Sequence, residues 1–544
     1  MFIEKSSKRV DSYSFSSESQ TGVAIGADLS GDPVFLSGKV IPSVTFARFM
    51  LILGNVVRLP KKVEKDHTAY QEWVATQYLH EFELQNPGRM ARIAELSTKI
   101  EPLQRRAKEL SEEQLKLWSK LRQYKQNFYT WLLSNNREAW VVLDPIVSVQ
   151  ADGTFFEAFS EDESVYARVF LPHDALKTKS KPNLGTTNID YSVLLEREFS
   201  RVRSYRPLEL EVGLNKVDIS TSAAQVKEER IPLPETWVRG LVEVQSVLSL
   251  APIKFNLSAD SIAELLALLD SKRERKSPRS LRFQLKPGRP IRMLIEPWGD
   301  IYDDDQFIYV GEIEQEIRVW GRRRLKVLRD ILTDVDSVEV LLIGSGMPTF
   351  WTVKKDGVEL TVGLSSWTSN DWSSKAKFSA LIPSAAVDET DMVSGLAIIK
   401  EKGTITAQEL SKLINKSTSE SAFILQKLCM IGKLMFDPER KIYRNRDLFP
   451  GIDLGASESQ ASREERFGIE IFKSKGINVT DDIVKDEVRY LESELISDNN
   501  IRTQIEQDMD ARPKYAQCSC SYFAYNKLRQ GPCRHIVALT LVGA

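Results

Sequence analysis

Three of the chain's four cysteines and one of its four histidines are concentrated near the carboxyl end, as Cys518-Ser519-Cys520 and, after twelve intervening residues, Cys533-Arg534-His535. Four soft ligands at paired spacing ask for one tetrahedral ion, and zinc suits thiolate and imidazole. Such a centre constrains the fold, because both pairs must meet at one point. It is also a full centre. Four protein ligands leave no open position for water, so the zinc is expected to build structure rather than to activate a nucleophile. Cys518 and Cys520 lie in strand-like sequence, where residues two apart share a face. Cys533 follows Gly531-Pro532 and precedes Ile536-Val537-Ala538-Leu539, an apolar helix start whose positive end favours thiolate. Free surface thiols are the competing reading, and the paired spacing of four ligand residues argues against it.

A length of 544 residues exceeds one ordinary core and suggests three or four domains, at roughly 150 residues each. Apolar residues make up 42% and charged residues 28%, as in soluble globular proteins. No apolar run reaches the roughly 18–20 residues of a membrane helix, and the stretch Phe46–Val57 is broken by Gly54 and Asn55. Met1 to Ser17 carries no apolar core of a secretory signal. Four cysteines give no disulfide framework, and thiolate ligands suit a reducing compartment, so a cytoplasmic protein is expected. The net charge is −2 and the pI about 6.3, so any nucleic-acid contact must come from local patches.

The chain divides by pattern. Residues 1–62 read as the N-terminal part of an α/β body, with a strand at Val34-Phe35-Leu36 and a helix at Ser43–Leu53. Residues 63–137 are rich in Glu, Lys, Gln, Arg and Leu. Leu96, Ile100, Leu103, Ala107 and Leu110, then Leu117, Leu121, Tyr124, Phe128 and Trp131, follow the 3-4 spacing of a coiled-coil seam. Gln114 interrupts the seam. Ser111 with Gln114 forms a capping box and Leu110 with Leu115 a hydrophobic staple, so a helical hairpin packed on its own domain is expected. Self-association of this arm is the alternative.

Residues 138–384 read as an α+β body. Strands are expected at Trp140–Leu143, Ile146–Val149, Phe155–Phe159, Ser164–Phe170, Leu281–Leu285, Ile291–Glu296 and Val338–Ile343. Helices are expected at Val193–Arg203, Ser258–Ser271 and Val319–Leu332, and a loop at 171–187. Residues 386–448 follow the order helix, strand, helix, helix, hairpin, which is that of a winged helix-turn-helix. Thr406 with Glu409 and Ser417 with Glu420 form its capping boxes. Residues 449–465 read as a linker, and 466–544 as a hairpin region leading to the zinc module, whose core is 514–543.

Three further groups are candidates for chemistry. The winged helix would present Ser417, Ser419, Glu420 and Lys427 on its recognition helix, and Lys433, Arg440, Lys441, Arg444 and Arg446 on its wing. The wing could neutralise phosphates, whereas one cation on the recognition helix argues against strong base readout. Packing against protein is the other use of such a unit. Residues 272–292 carry nine Lys or Arg (Lys272, Arg273, Arg275, Lys276, Arg279, Arg282, Lys286, Arg289, Arg292) against Glu274. With Arg322–Arg324 they could form a phosphate-binding face, but Glu296, Asp300 and Asp303-Asp304-Asp305 follow, and mutual neutralisation across a solvated surface is preferred. Glu157, Glu161, Asp162, Glu163 and the Asp300–Asp305 cluster could bind Mg²⁺ or act as acid and base, with ordinary surface charge as the alternative. No P-loop or nucleophile elbow occurs, and His67, His80 and His173 stand outside any motif.

The Cys-x-Cys and Cys-x-His pairs, with the tail Gly-Pro-Cys-Arg-His-Ile-Val-Ala at 531–538, closely resemble the SWIM-type zinc finger. The resemblance implies that Cys518, Cys520, Cys533 and His535 are zinc ligands on a β-hairpin followed by a helix. Such fingers are associated with DNA or protein binding, including in Mu-type transposases and Swi/Snf-type helicases. Asp144–Arg168, Gly185–Ser192, Glu296–Asp300, Ile317–Leu325, Gly344–Phe350 and Gly363–Trp372 also resemble stretches of a bacterial SWIM-finger family. That family is often encoded beside MoxR-type AAA+ ATPases and von Willebrand A proteins. The arm at 63–137 departs from it and reads as an insertion. The resemblance implies an adaptor beside an ATPase, in a conflict or stress system.

The expected protein is therefore multi-domain α+β, with one structural zinc and no catalytic residues. Its function would be recognition of DNA, RNA or a protein partner. A metal-dependent hydrolase with an acidic site in residues 140–372 is the alternative.

Overall fold

Alternating burial sets the sheets. In Leu281–Leu285, Leu281, Phe283 and Leu285 are fully buried while Arg282 and Gln284 face outward, the period of a strand with one wet face. The computed structural model describes residues 36–59, 145–179, 181–188, 191–206, 208–213, 216–220, 225–229, 235–273, 278–366, 372, 388–448, 463–485, 488–508, 513–526, 528 and 531–543. The helical arm at 63–137, the strand expected at Trp140–Leu143 and most of the 449–465 linker lie outside these residues.

The elements run β1 (Leu36–Val40), α1 (Ser43–Val57), β2 (Ile146–Val149), β3 (Gly153–Phe159), β4 (Val165–Pro172), β5 (Leu176–Thr178), β6 (Gly185–Asn188), α2 (Val193–Arg201), β7 (Leu208–Val212), β8 (Lys216–Ser220) and β9 (Gln225–Glu229). They continue α3 (Glu235–Leu248), β10 (Ile253–Ser258), α4 (Ala259–Ser271), β11 (Leu281–Leu285), β12 (Pro290–Ile295), β13 (Asp300–Ile308), β14 (Gln315–Val319), α5 (Arg329–Leu332), β15 (Ser337–Leu342), β16 (Thr349–Lys355) and β17 (Val358–Leu364). The last third holds α6 (Glu389–Lys402), β18 (Thr404–Ile405), α7 (Ala407–Ile414), α8 (Thr418–Met430), β19 (Leu434–Asp437), β20 (Ile442–Asn445), α9 (Arg463–Lys473), β21 (Ile477–Lys485), β22 (Val488–Leu495), β23 (Asp498–Asp508), β24 (Pro513–Cys518), α10 (Ser521–Asn526) and α11 (Arg534–Gly543).

Among the described residues five antiparallel sheets result, in the orders β5-β1-β7-β8-β9, β10-β15-β16-β17-β4-β3-β2-β6, β13-β12-β11-β14, β18-β20-β19 and β21-β22-β23-β24. The fold is a mixed α/β one. Against the eight-stranded sheet lies α1, buried on nearly all sides through Phe46, Phe49, Met50, Leu53 and Val56. Gly54 is required there, because a Cβ would come within 2.3 Å of the Tyr191 ring, whose hydroxyl donates to the Met50 carbonyl. No helix among the described residues is long and apolar enough to cross a membrane.

Two expectations within the body are corrected. The loop at 171–187 contains β5 and most of β6, whose edge pairings with β1 and β2 the Lys/Pro/Thr composition hides. The helix expected at Val319–Leu332 begins instead with the end of β14, followed by a 3-10 segment at Arg322–Leu328 and the single turn of α5. Gly321, at φ 82°, is the reason the strand can turn there.

One row across the eight-stranded sheet is polar. Glu157, Arg168, Thr361, Thr352 and Glu339 stand opposite one another across β3, β4, β17, β16 and β15. Buried polar side chains need partners. Thr352 and Thr361 bond each other at 3.0 Å, Lys254 pairs with Glu339 at 2.7 Å, and residues 388–448 supply Arg446 to Glu157.

Candidate metal centre and candidate nucleic-acid interface

Cys518 ends β24, Cys520 immediately precedes α10, and Cys533 and His535 flank the start of α11. The strand therefore carries only the first cysteine, and the turn into α10 aims the second. All four residues are buried, Cys533 completely. Their ligand atoms lie within 4.8 Å of one another. Cys518 Sγ is 3.6 Å from His535 Nδ1. Zinc bonds of about 2.3 Å to sulfur and about 2.0–2.1 Å to nitrogen, opened at a tetrahedral angle, give a separation of about 3.6 Å. The residues thus fit one structural zinc ion. Among the described residues this is the one group of three or more His, Cys, Asp or Glu able to hold a metal.

Hydrogen bonds reach two of the sulfurs. Thr503 Oγ1 donates to Cys518 Sγ at 3.4 Å, and the Phe523 amide donates to Cys520 Sγ at 3.4 Å. Hydrogen bonds received first from Cys518 and then from Cys533 hold the Cys520 thiol far below its ordinary value. The Cys518 thiol is pushed up to about 11, first by its hydrogen bond with Cys520. Burial pushes Cys533 well up. Crowded thiols that share protons in this way are what a divalent cation replaces, since each ligand must be deprotonated to bind.

The module extends further toward the N-terminus than its sequence motif. In α9, Glu464 accepts from Arg534 Nε at 3.0 Å, from Arg534 Nη2 at 2.7 Å and from the Arg534 amide at 3.2 Å. The same guanidinium lies 4.5 Å from the centre of the Phe467 ring. Arg534 sits between two ligands, so this clamp fixes the turn that carries them. The linker reading of 449–465 absorbed Glu464, and neither α9 nor β21 was expected. The acidic first turn at Glu464-Glu465 and Lys473 in the last turn were the available signals. A Cβ on Gly468 would meet the Val537 side chain at 2.6 Å and the Arg534 carbonyl at 2.8 Å. Gly468→Ala is therefore expected to force α9 and α11 apart, at a cost of about 1–3 kcal/mol. Thermal unfolding followed by a zinc-responsive dye should show earlier metal release, and identical melting would contradict this contact.

Residues 388–448 contain the expected elements in the expected order, with both capping boxes formed. The structure redistributes the residues proposed to meet nucleic acid. Arg444 is fully buried and donates to Asp152 at 2.8 and 2.6 Å and to Asp437 at 3.0 Å. Its guanidinium lies 5.0 Å from the Phe155 ring centre. Arg446 and Glu157, both 0% exposed, pair with each other, and Tyr166 donates to the same carboxylate at 2.5 Å. Arg440 bonds Glu359 at 2.7 Å and Asp437 at 3.0 Å, and Lys433 bonds Asp447 at 2.9 Å. Ser417 caps α8 by accepting from the Glu420 amide, and Ser419 lies 3.2 Å from it. Lys427 is half-buried. Lys441 is exposed at φ 52° and has no carboxylate partner among the described residues.

The recognition-helix candidate is covered along most of its length, with Ser417 and Glu420 exposed at its start. In α8, Ser421 to Gln426, Leu428 and Cys429 are all buried, against α3, α6, α7 and β19. Gln245 of α3 accepts from the Phe436 amide at 2.7 Å, and Met435 packs with Phe155 and Phe170 of the body. The run Ala422-Phe423-Ile424-Leu425 was the legible sign, since four consecutive apolar residues cannot share one face of a helix.

Several of the acidic candidates are also committed, while Glu161 and Asp305 are exposed. Asp162 accepts from Ser160, Ser164 and Arg324. Asp300 pairs with Lys272 and Asp303 with Arg292. Asp304 is buried and accepts from the Ser258 amide at 2.6 Å. In the basic run at 272–292, Lys272 and Arg292 are held as above, Arg282 pairs with Glu296 and Glu316, and Lys286 pairs with Glu314.

Residues 503–543 match the SWIM zinc finger family, so the chain carries a SWIM-type zinc finger at its C-terminal end. No curated protein matches the chain. Among solved structures it is similar to the PCNA2–PCNA3 complex of Sulfolobus tokodaii, at 10% identity over 42% of this chain and 91% of that one, with a TM-score of 0.33. It is also similar to proliferating cellular nuclear antigen of Entamoeba histolytica, at 11% identity over 42% and 90% with a TM-score of 0.31. A third is A. fulgidus PCNA bound to the C-terminal region of FEN-1, at 14% identity over 42% and 90% with a TM-score of 0.31. At these TM-scores the likeness carries no functional argument.

Proposed function

We propose that this chain is a non-catalytic, cytoplasmic adaptor whose SWIM-type finger docks a protein partner, accessory to a AAA+ ATPase of the MoxR type or a von Willebrand A protein. Its 388–448 unit is a winged helix used for packing. The observation that carries this reading is the fate of the wing cations. Arg440, Arg444, Arg446 and Lys433 already hold carboxylates, three of them across the junction with the body. A phosphate backbone would have to displace buried partners, and phosphate neutralisation is what nucleic-acid affinity rests on. A full metal centre and committed carboxylates likewise count against the hydrolase alternative.

The test uses zinc-loaded full-length protein with labelled duplex DNA and single-stranded RNA over a range of salt. No shift is expected at physiological ionic strength, while crosslinking in native extract yields an adduct with an ATPase or a von Willebrand A protein. A salt-dependent shift removed by Lys441→Glu would overturn the reading.

A further inference from the structure

Resting on the protein-partner reading, we infer that the outer face of the finger sheet is a docking surface for a lysine- or arginine-bearing polypeptide segment, seated on a row formed by Tyr490, Glu506 and Tyr515. The finger's sheet has two different faces. Leu491, Thr503, Ile505, Ala516 and Cys518 are buried on the side of α11 and the metal ligands. The opposite side faces solvent. There Tyr490 stands opposite Glu506, and Glu506 opposite Tyr515, across three adjacent strands. Ile483 extends the row to the edge strand and is 50% exposed; Tyr515 is 44% exposed.

Strands about 4.8 Å apart place a carboxylate between two aromatic rings. That is a receptor for an organic cation, which gains from the ring faces and from the negative charge together. Glu506 has no ion-pair partner among the described residues, and burial pushes its carboxyl up despite the nearby Lys514. The neighbouring row repeats the sign: Asp481 stands opposite Glu492, and Glu494 lies beyond it, paired with Arg502 at 3.0 Å. Four carboxylates against Lys485, Arg502 and Lys514 leave the face net negative, which repels phosphate and attracts Lys and Arg. The half-buried Tyr490 and the exposed Tyr515 could also stack nucleobases, but the surrounding charge opposes a nucleic-acid backbone.

The probe is a fluorescein-labelled peptide of alternating glycine and arginine, compared with its glutamate counterpart and a labelled single-stranded oligoribonucleotide, read by anisotropy with the full chain. The arginine peptide is expected to bind, more weakly as salt rises. Glu506→Gln and Tyr515→Ala should each weaken it roughly three- to tenfold at unchanged zinc content. Asp330→Asn, an exposed carboxylate elsewhere, should leave it unchanged. Equal binding by wild type and both face variants overturns the proposal. If the native crosslink survives in those variants, the adaptor reading stands and this face is wrong. If the oligoribonucleotide binds and neither peptide does, the adaptor reading falls too.

Discussion

Cys533→Ala is expected to strip the chain of zinc and to unfold residues 463–543 while leaving the body folded. The sulfur it removes is fully buried at the meeting point of β24, α10 and α11, beside the Arg534 clamp to α9. Structural zinc supplies apparent folding energy of about 10–16 kcal/mol in finger peptides, far more than this small core supplies alone. Elemental analysis should fall from one zinc per chain to near none. Hydrogen exchange should show lost protection confined to 463–543. Unchanged stoichiometry would show the ligand assignment wrong.

Arg446→Ala is expected to loosen the 388–448 unit from the body by about 3–5 kcal/mol, because it strands Glu157 without its cation in a place water does not reach. Glu157→Ala should cost about as much from the other side. A paired replacement, Glu157→Leu with Arg446→Met, should recover most of the loss, since a buried ion pair exchanged for packed apolar groups is often neutral. Chemical denaturation measures all three, and single variants within about 0.5 kcal/mol of wild type would contradict the account. The same junction is acid-sensitive. Burial alone would raise the Asp437 carboxyl, but Arg168 and then Arg444 outweigh it and hold it far below the usual range. A depressed carboxylate contributes its stability fully above the unfolded value of about 3.9 and loses it as pH falls toward the folded one. Undocking of this unit is therefore expected on strong acidification, visible as separate unfolding transitions.

Local signals were the legible ones. Ser417 with Glu420 and Thr406 with Glu409 announced two helix starts, because a capping box is satisfied within four residues and needs nothing from elsewhere. The strands from Ile146 to Phe170 were legible for a similar reason, since burial of a sheet face imposes its own period. Misreadings fell where distant partners decide. Arg322–Leu328 looked helical by composition, yet it folds as 3-10 turns after Gly321, with Arg322 bonded to the Ser280 carbonyl and Arg324 to Asp162 far along the chain. Glu464 looked like linker because its partner Arg534 lies seventy residues away.

What the sequence determined by itself was the chemistry of the metal centre: four ligand residues at paired spacing admit one closed tetrahedral ion. What only the tertiary structure decided was the use of the charges. Arg444 and Arg446 look identical in sequence to phosphate-binding cations. Folding places them against Asp152, Asp437 and Glu157, and a cation whose carboxylate partner is already buried with it is no longer available to a ligand.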